Sequence, residues 1–192
     1  ARMRRWYLMR HGQTDYNRRR CFYGSHDVSI NGQGQEDARQ LALLMQEHPV
    51  DVIYTSCLKR TQETAQLAFP ERKVQPIGDF DERGFGQWEG LTADEIEAAF
   101  PEVWQAWLEA PFEVTPPEAE VFSDFQTRVW TATDRLLDTA DEAMALVSHL
   151  GVLRLIYQHL VDREAVFWNI DVPQGRVLLL EERDQTWQAT LL

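Results

Sequence analysis

The chain has 192 residues, of which 44% are hydrophobic and 26% are charged, and its formal net charge is −12. This balance is typical of one globular domain, and no apolar run approaches the roughly 20 residues of a membrane-spanning helix. Nucleic acids and anionic membranes require a basic protein surface, so the acidic balance argues against both as partners. Cys21 and Cys57 are too few for a disulfide framework or a zinc site, which predicts a cytoplasmic protein.

A short apolar and aromatic run near the N-terminus predicts a first strand that leads into Arg10, His11 and Gly12. Charged side chains at the end of a buried strand are costly without partners, and ligands of open α/β sheets bind just beyond the carboxyl ends of strands. Seven of the first 20 residues are arginines, which indicates a local anion site on an acidic protein. A surface turn, with a solvated loop over 18–20, is the alternative.

Apolar periodicity predicts alternating strands and helices through the first half of the chain. This β-α-β-α-β order implies a parallel sheet with right-handed crossovers. After a loop over 15–34, the predicted elements are a helix over 35–47, a strand over 50–55, a helix over 58–69 and a strand over 74–77.

The second half interrupts this alternation with a turn-rich segment over 80–90 and then returns to it. Thr92 and Glu95 form a capping box that opens one helical piece, and Pro101 begins a second. The predicted elements are that second piece over 101–109, a helix over 123–139, a strand over 143–148, a helix over 152–160, and strands over 176–182 and 186–191.

We predict a single domain over 1–192 with a helical insertion, over about 91–119, that acts as a lid. Trp104, Trp107 and Phe112 in this insertion could contact an organic substrate, although packing of the lid against the core is the commoner use of such aromatics.

Side chains suited to phosphate chemistry follow three of the predicted buried strands. Arg10 and His11 end the first strand, and Arg60 lies just past the second. His149 follows the strand over 143–148, and Glu82 lies in the turn-rich segment. Because the carboxyl ends of parallel strands meet at one edge of a sheet, we expect these side chains to converge. Arginines bind phosphoryl oxygens bidentately and a neutral histidine can attack phosphorus, so the set predicts a phosphoryl site.

These residues, in this order along nearly the whole chain, resemble the histidine phosphatase superfamily, which has the phosphoglycerate mutase-like fold. The resemblance implies an α/β fold, a three-layer α/β/α sandwich around a mostly parallel sheet, and chemistry without a cofactor or a metal. The matching residues are Arg10-His11-Gly12-Gln13-Thr14 with Asn17, Tyr23-Gly24, Ser56 to Arg60 with Thr64-Ala65, Glu82 with Phe85-Gly86-Gln87-Trp88-Glu89-Gly90, and His149 with Gly151.

The resemblance also implies a role for each matching side chain. His11 is the nucleophile that forms a phosphohistidine, and Glu82 is the proton donor. The phosphate and substrate ligands are Arg10, Arg60 and His149 with Asn17, and the further predicted binding residues are Tyr23, Gly24 and Leu150. We expect Arg10 and Arg60 to lower the pKa of His11, and bound phosphate to raise the pKa of Glu82.

The chain departs from the family pattern at two positions. Leu150 follows the second histidine where the family has glycine, and Glu120, which we expect to orient the histidine pair, lacks the usual flanking residues. Asp81 and Glu89 are rival carboxylates for the role given to Glu82.

The short lid and tail favour a phosphatase, because a mutase must keep its phosphoenzyme dry and return the phosphoryl group. The segments over 22–31 and 85–90 are similar to those of alpha-ribazole phosphatases of the cobalamin pathway, which makes alpha-ribazole 5′-phosphate the predicted substrate. The alternatives are a phosphoglycerate mutase, a broad-specificity or sugar-phosphate phosphatase, and a non-catalytic phosphate-binding scaffold. The partner is therefore a small phosphate monoester, and the oligomeric state, including a homodimer, is left open.

Overall fold

The fold is built around a six-stranded mixed sheet in a computed structural model that describes residues 3–139 and 141–192. Arg2, one of the N-terminal arginines, lies outside the described residues. The sheet has the order β4-β3-β6-β1-β7-β8, in which β1, β3, β4 and β6 pair in parallel and β7 is antiparallel to both its neighbours, β1 and β8. Its strands are β1 (Arg4–Arg10), β3 (Val52–Thr55), β4 (Gln75–Pro76), β6 (Ala143–Ser148), β7 (Leu178–Arg183) and β8 (Thr186–Leu191).

Helices cover both faces of this sheet, and a small separate pair of strands lies beside it. The α-helices are α1 (Asp15–Arg18), α2 (Gly32–Met45), α3 (Lys59–Ala68), α4 (Ala93–Ala99), α5 (Pro101–Glu109), α6 (Phe122–Leu137) and α7 (Leu150–Leu160). The pair is β2 (Cys21–Phe22) and β5 (Leu91–Thr92), and short 3₁₀ helices form at Gly78–Phe80, Gly86–Trp88 and Phe167–Asn169. No helix in the described ranges is long and apolar enough to cross a bilayer.

Side-chain alternation along the buried strands separates the core into two layers. In β1, Trp6 and Leu8 pack with α6 and α7, whereas Tyr7 and Met9 pack with α2 and α3. Both faces of the strand are therefore covered, as is usual for parallel sheets. The predicted three-layer α/β/α sandwich with a mostly parallel sheet is confirmed.

The segment over 91–119 packs on an aromatic cluster of its own. Trp88, Trp104 and Trp107 are buried there with Ile96, and Phe22 joins them from β2. The Thr92–Glu95 capping box and the bounds of α5 are as predicted. The core-packing interpretation thus accounts for Trp104, while the role of this segment as a lid stays a prediction.

The predicted loop over 15–34 is wrong in part, because it contains α1, β2 and the start of α2. Thr14 caps α1 in a reciprocal pair with Asn17, and Asn31 caps α2 through the amide of Gly34. β2 exists only because it pairs with β5, far along the chain. Similarly, α7 begins at Leu150 directly after its N-cap His149, two residues earlier than predicted.

Candidate active site

A cavity of about 520 Å³ opens at the carboxyl ends of β1, β3 and β6. The predicted site residues that line the cavity are Arg10, His11, Asn17, Tyr23, Arg60, Glu82, His149 and Leu150. Gly24 was also predicted to bind substrate, but it is not among the residues that line the cavity.

His11 is buried, with 3% of its surface exposed, and one hydrogen bond decides which nitrogen carries the proton in the neutral ring. Its Nδ1 lies 2.7 Å from the carbonyl oxygen of Gly12, which can only accept, so Nδ1 carries the proton and Nε2 of the neutral ring keeps a free lone pair. Burial is the main reason why the pKa of His11 lies well below its usual range, and the charges of Arg60 and Arg10 lower it further. A neutral imidazole with a free Nε2 can act as a nucleophile.

The backbone of Gly12, next to His11, is hydrogen-bonded to helix α3. Its amide donates to Oγ1 of Thr64 at 2.9 Å, and the Thr64 hydroxyl donates to the Arg60 carbonyl oxygen at 2.7 Å. A Cβ on Gly12 would overlap the backbone of Gly34, so the close approach of the two segments requires glycine.

Arg60 is almost completely buried, with 1% of its surface exposed, so it is not an ordinary exposed helix arginine. Its two terminal nitrogens donate to the carbonyl oxygens of His26 and Gly24, each at 2.8 Å, and its guanidinium lies 4.6 Å from the ring centre of Tyr23. The buried Nε atoms of Arg60 and Arg10 have no partner among the described residues. Buried unpaired donors are costly, so a bound anion would stabilise both.

Glu89 holds the loop that grips Arg60. Its carboxylate accepts from the backbone amides of Gly24, Ser25, His26 and Phe85 at 2.7 to 3.2 Å. Glu89 is thereby occupied in positioning Gly24 and His26, whose carbonyls orient Arg60. Sequence reasoning missed this role, and the only available signal was its match to the family motif.

Glu82 is the one carboxylate among the described residues that lines the cavity. Asp81, like Glu89, is used elsewhere: it accepts from the amide of Cys57 at 2.8 Å. The Glu82 carboxylate accepts from the amides of Arg83 at 3.0 Å and Gly151 at 3.1 Å. Burial raises the pKa of Glu82 above its usual range, and these hydrogen bonds and Arg60 only partly oppose the rise. Glu82 can therefore carry a proton at a higher pH than an exposed glutamate.

His149 lies beside His11, with their ring centres 5.3 Å apart. Its Nε2 is 2.8 Å from Oγ of Ser56, while its buried Nδ1 has no partner in the described part of the chain. Burial, followed by the charge of Arg60, lowers the pKa of His149 well below its usual range. Nδ1 of His149 is thus available to form a hydrogen bond with a ligand beside His11.

The two departures from the family pattern have separate outcomes. Leu150 lines the cavity, and it is Gly151, one residue later, that approaches the Glu82 carboxylate so closely that a Cβ would displace it. The prediction that Glu120 orients the histidines is wrong. Its carboxylate pairs with Arg128 at 2.8 Å, and Arg128 in turn donates to the backbone carbonyl of Glu82 at 3.2 Å.

Asn17 is predicted to help bind phosphate, and it lies at the cavity with its Oδ1 accepting from the amide of Thr14 at 3.0 Å and from Gln174 at 3.1 Å. Tyr23 is held by a 2.7 Å hydrogen bond to the hydroxyl of Thr14. Within the described ranges, no three histidine, cysteine or acidic side chains are grouped so that they could hold a metal ion.

Comparisons with known proteins agree with this geometry. The family described as "Histidine phosphatase superfamily (branch 1)" matches residues 6–192. Adenosylcobalamin/alpha-ribazole phosphatase of Escherichia coli is 32% identical over 177 residues, covering 90% of this chain and 87% of the relative. Phosphoglycerate mutase-like protein 4 of Arabidopsis thaliana is 32% identical over 79% of this chain and 68% of the relative. The crystal structure of a putative alpha-ribazole-5′-P phosphatase from E. coli superposes with a TM-score of 0.91 at 28% identity, covering 98% of this chain and 95% of that one.

Proposed function

The chain belongs to the histidine phosphatase superfamily, and we propose that it hydrolyses alpha-ribazole 5′-phosphate through a phosphohistidine at His11. The observation that carries this proposal is the neutral His11, whose free Nε2 lies in one cavity with two unpartnered arginine donors and a carboxyl group of raised pKa. The names of similar proteins support the choice of substrate. We also propose a cytoplasmic location, because both cysteines are free.

In the first step, Nε2 of His11 attacks phosphorus and the bond from phosphorus to the ester oxygen breaks. Glu82 transfers its proton to that oxygen, so the alcohol leaves neutral. Arg10, Arg60 and His149 hold the phosphoryl oxygens. Because these donors are fixed before the reaction, they stabilise the charge of the transition state without reorganising.

In the second step, the Glu82 carboxylate takes a proton from water as the water oxygen attacks the phosphohistidine. The bond from phosphorus to nitrogen breaks, phosphate leaves and His11 recovers its lone pair. Glu82 is again protonated, so the enzyme returns to its starting state.

The test is hydrolysis of alpha-ribazole 5′-phosphate and p-nitrophenyl phosphate in EDTA, combined with rapid acid-free quenching of ³²P-labelled substrate. Wild-type protein should form an acid-labile, base-stable phosphoenzyme, and His11→Ala should lose about 1,000-fold or more in kcat and all of the label. His159→Ala is the matched control, since His159 pairs with Asp134 outside the cavity and should keep both.

Three outcomes would contradict the proposal. Turnover without a phosphoenzyme would remove the mechanism, and no turnover of any phosphate ester would leave a binding scaffold. Conversion of 3- to 2-phosphoglycerate faster than phosphate release would establish a mutase instead.

A further inference from the structure

One wall of the cavity is aromatic and takes no part in the proposed chemistry. We call Trp107, Phe112 and Trp168 the aromatic platform. Trp107 belongs to α5 and Phe112 follows it, whereas Trp168 lies in the 3₁₀ helix Phe167–Asn169 near the C-terminal strands. All three line the same cavity as His11 and Arg60.

Two members of the aromatic platform are exposed although they are large and apolar. Trp168 and Phe112 are 48% and 41% exposed, and their rings stack nearly parallel, with centres 5.5 Å apart and planes inclined by 13°. Side chains of this kind that sit together in a cleft and remain open to solvent mark binding surfaces.

Arg154 holds Trp168 in place. Its Nε donates to the carbonyl oxygen of Ile170 at 2.8 Å, its terminal nitrogen approaches the Trp168 carbonyl at 3.4 Å, and its guanidinium lies 5.6 Å from the Trp168 ring centre. The ring is thus fixed before any ligand arrives, which lowers the entropic cost of stacking on it.

Trp107 adds a polar group to this wall. It is buried, and its indole N–H has no acceptor among the described residues. A buried donor without a partner costs free energy, and an acceptor atom on a ligand in the cavity would recover it.

The cavity is also much larger than a phosphoryl group requires. Its volume of about 520 Å³ lies within the range of roughly 300–1,000 Å³ found for pockets that enclose organic ligands of drug size. The space beyond the arginines and histidines is therefore large enough for the alcohol part of the ester.

We propose that the aromatic platform is a subsite for a planar aromatic ring system, carrying a hydrogen-bond acceptor, on the alcohol part of the substrate. The proposal rests on the phosphatase function above and adds the residues that select the leaving group. Stacking requires a flat π-surface, so a sugar phosphate that lacks such a ring gains nothing from this wall.

The test compares esters that release the same kind of primary 5′-alcohol and differ in the ring system attached to the ribose. Ribose 5-phosphate serves as the reference, with adenosine 5′-monophosphate and alpha-ribazole 5′-phosphate as its aromatic counterparts. Wild-type kcat/KM should be higher for at least one aromatic ester. Trp168→Ala should lower the ratio of aromatic to ribose kcat/KM about tenfold, mainly through KM, because a stacking contact binds substrate and transition state alike.

Trp168→Phe should restore most of the ratio of aromatic to ribose kcat/KM. Phe112→Leu, made alone in the wild type, should also lower this ratio. Val166→Ala is the matched control: Val166 is two residues away and 57% exposed but does not line the cavity, so the ratio should not change. Equal rates for ribose and aromatic esters in the wild type, or an unchanged ratio in Trp168→Ala, would overturn the proposal while leaving the phosphatase function intact. If the wild type hydrolyses none of these esters, the phosphatase function itself is overturned.

Discussion

Three side chains carry protons whose positions decide the chemistry. His11 has its proton on Nδ1, burial lowers the pKa of His149, and burial raises the pKa of Glu82 so that it holds its proton to a higher pH than an exposed glutamate. The sequence predicted a lowered pKa for His11 from its two arginines, and the structure adds burial as the larger cause. It likewise makes burial, rather than bound phosphate alone, a reason for the raised pKa of Glu82.

These shifts predict a bell-shaped pH profile whose two limbs both move outward. The reaction needs neutral His11, whose lowered pKa keeps it uncharged into the acid range, so the acid limb of kcat/KM lies below the usual histidine range. It also needs protonated Glu82, whose raised pKa moves the loss of activity to a higher pH than an ordinary glutamate would give. The measurement is kcat/KM, which reports the groups of the free enzyme, against pH for a substrate with a poor leaving group.

Glu82→Gln should remove the alkaline limb and lower kcat by roughly 100- to 10,000-fold, the usual contribution of general acid–base catalysis. Asp81→Asn should keep the limb, because Asp81 binds the Cys57 amide outside the cavity. If the limb follows Asp81 instead, the assignment of the proton donor is wrong.

At the scale of elements, the site depends on segments that hold one another. The loop after β2 grips Arg60 of α3, and Glu89, after the 3₁₀ helix Gly86–Trp88, holds that loop. The amide at the start of α7 binds Glu82. Arg60 and Glu82 are thus each held by a segment distant in sequence.

Glu89→Gln should weaken phosphate binding through Arg60. A glutamine has one acceptor oxygen, and its amide nitrogen would face backbone donors, so the loop over 24–26 should release its carbonyl grip on the guanidinium. We expect the Ki of inorganic phosphate to rise about tenfold, in the range found when groups that orient a ligand-binding side chain are removed.

The control for this prediction is Glu36→Gln, since Glu36 is an exposed residue of α2 whose carboxylate accepts from Arg39 and Gln40 on the same helix. Urea unfolding of both variants separates a local effect from general destabilisation. An unchanged Ki in folded Glu89→Gln would show that the loop keeps Arg60 in place without the carboxylate.

For the whole molecule, the sheet order places β1 and β6 at the centre, and the site lies at their carboxyl ends. The net charge of −12 contrasts with the arginines gathered in the cavity, which concentrates positive potential where a phosphate ester binds.

Because β1 lies at the centre of the sheet, removing a leucine side chain from it should lower the free energy of unfolding far more than removing one from the surface. Leu8→Ala, at a fully buried position, should lower the free energy of unfolding by about 2–5 kcal/mol. Leu43→Ala, where the side chain is 58% exposed, should change it by only about 0.5 kcal/mol or less. Urea denaturation measures both, and equal losses would contradict the assignment of Leu8 to the core.

The sequence by itself determined the class of the fold and predicted which side chains meet at the candidate site. Buried strands show in local apolar patterns, and the rule that parallel strands share an edge brings Arg10, His11, Arg60 and His149 together. Only the tertiary structure separated Glu82 from Asp81 and Glu89, paired Glu120 with Arg128, and formed β2 against β5. These features depend on contacts between residues far apart in the chain, which no local pattern of residues encodes.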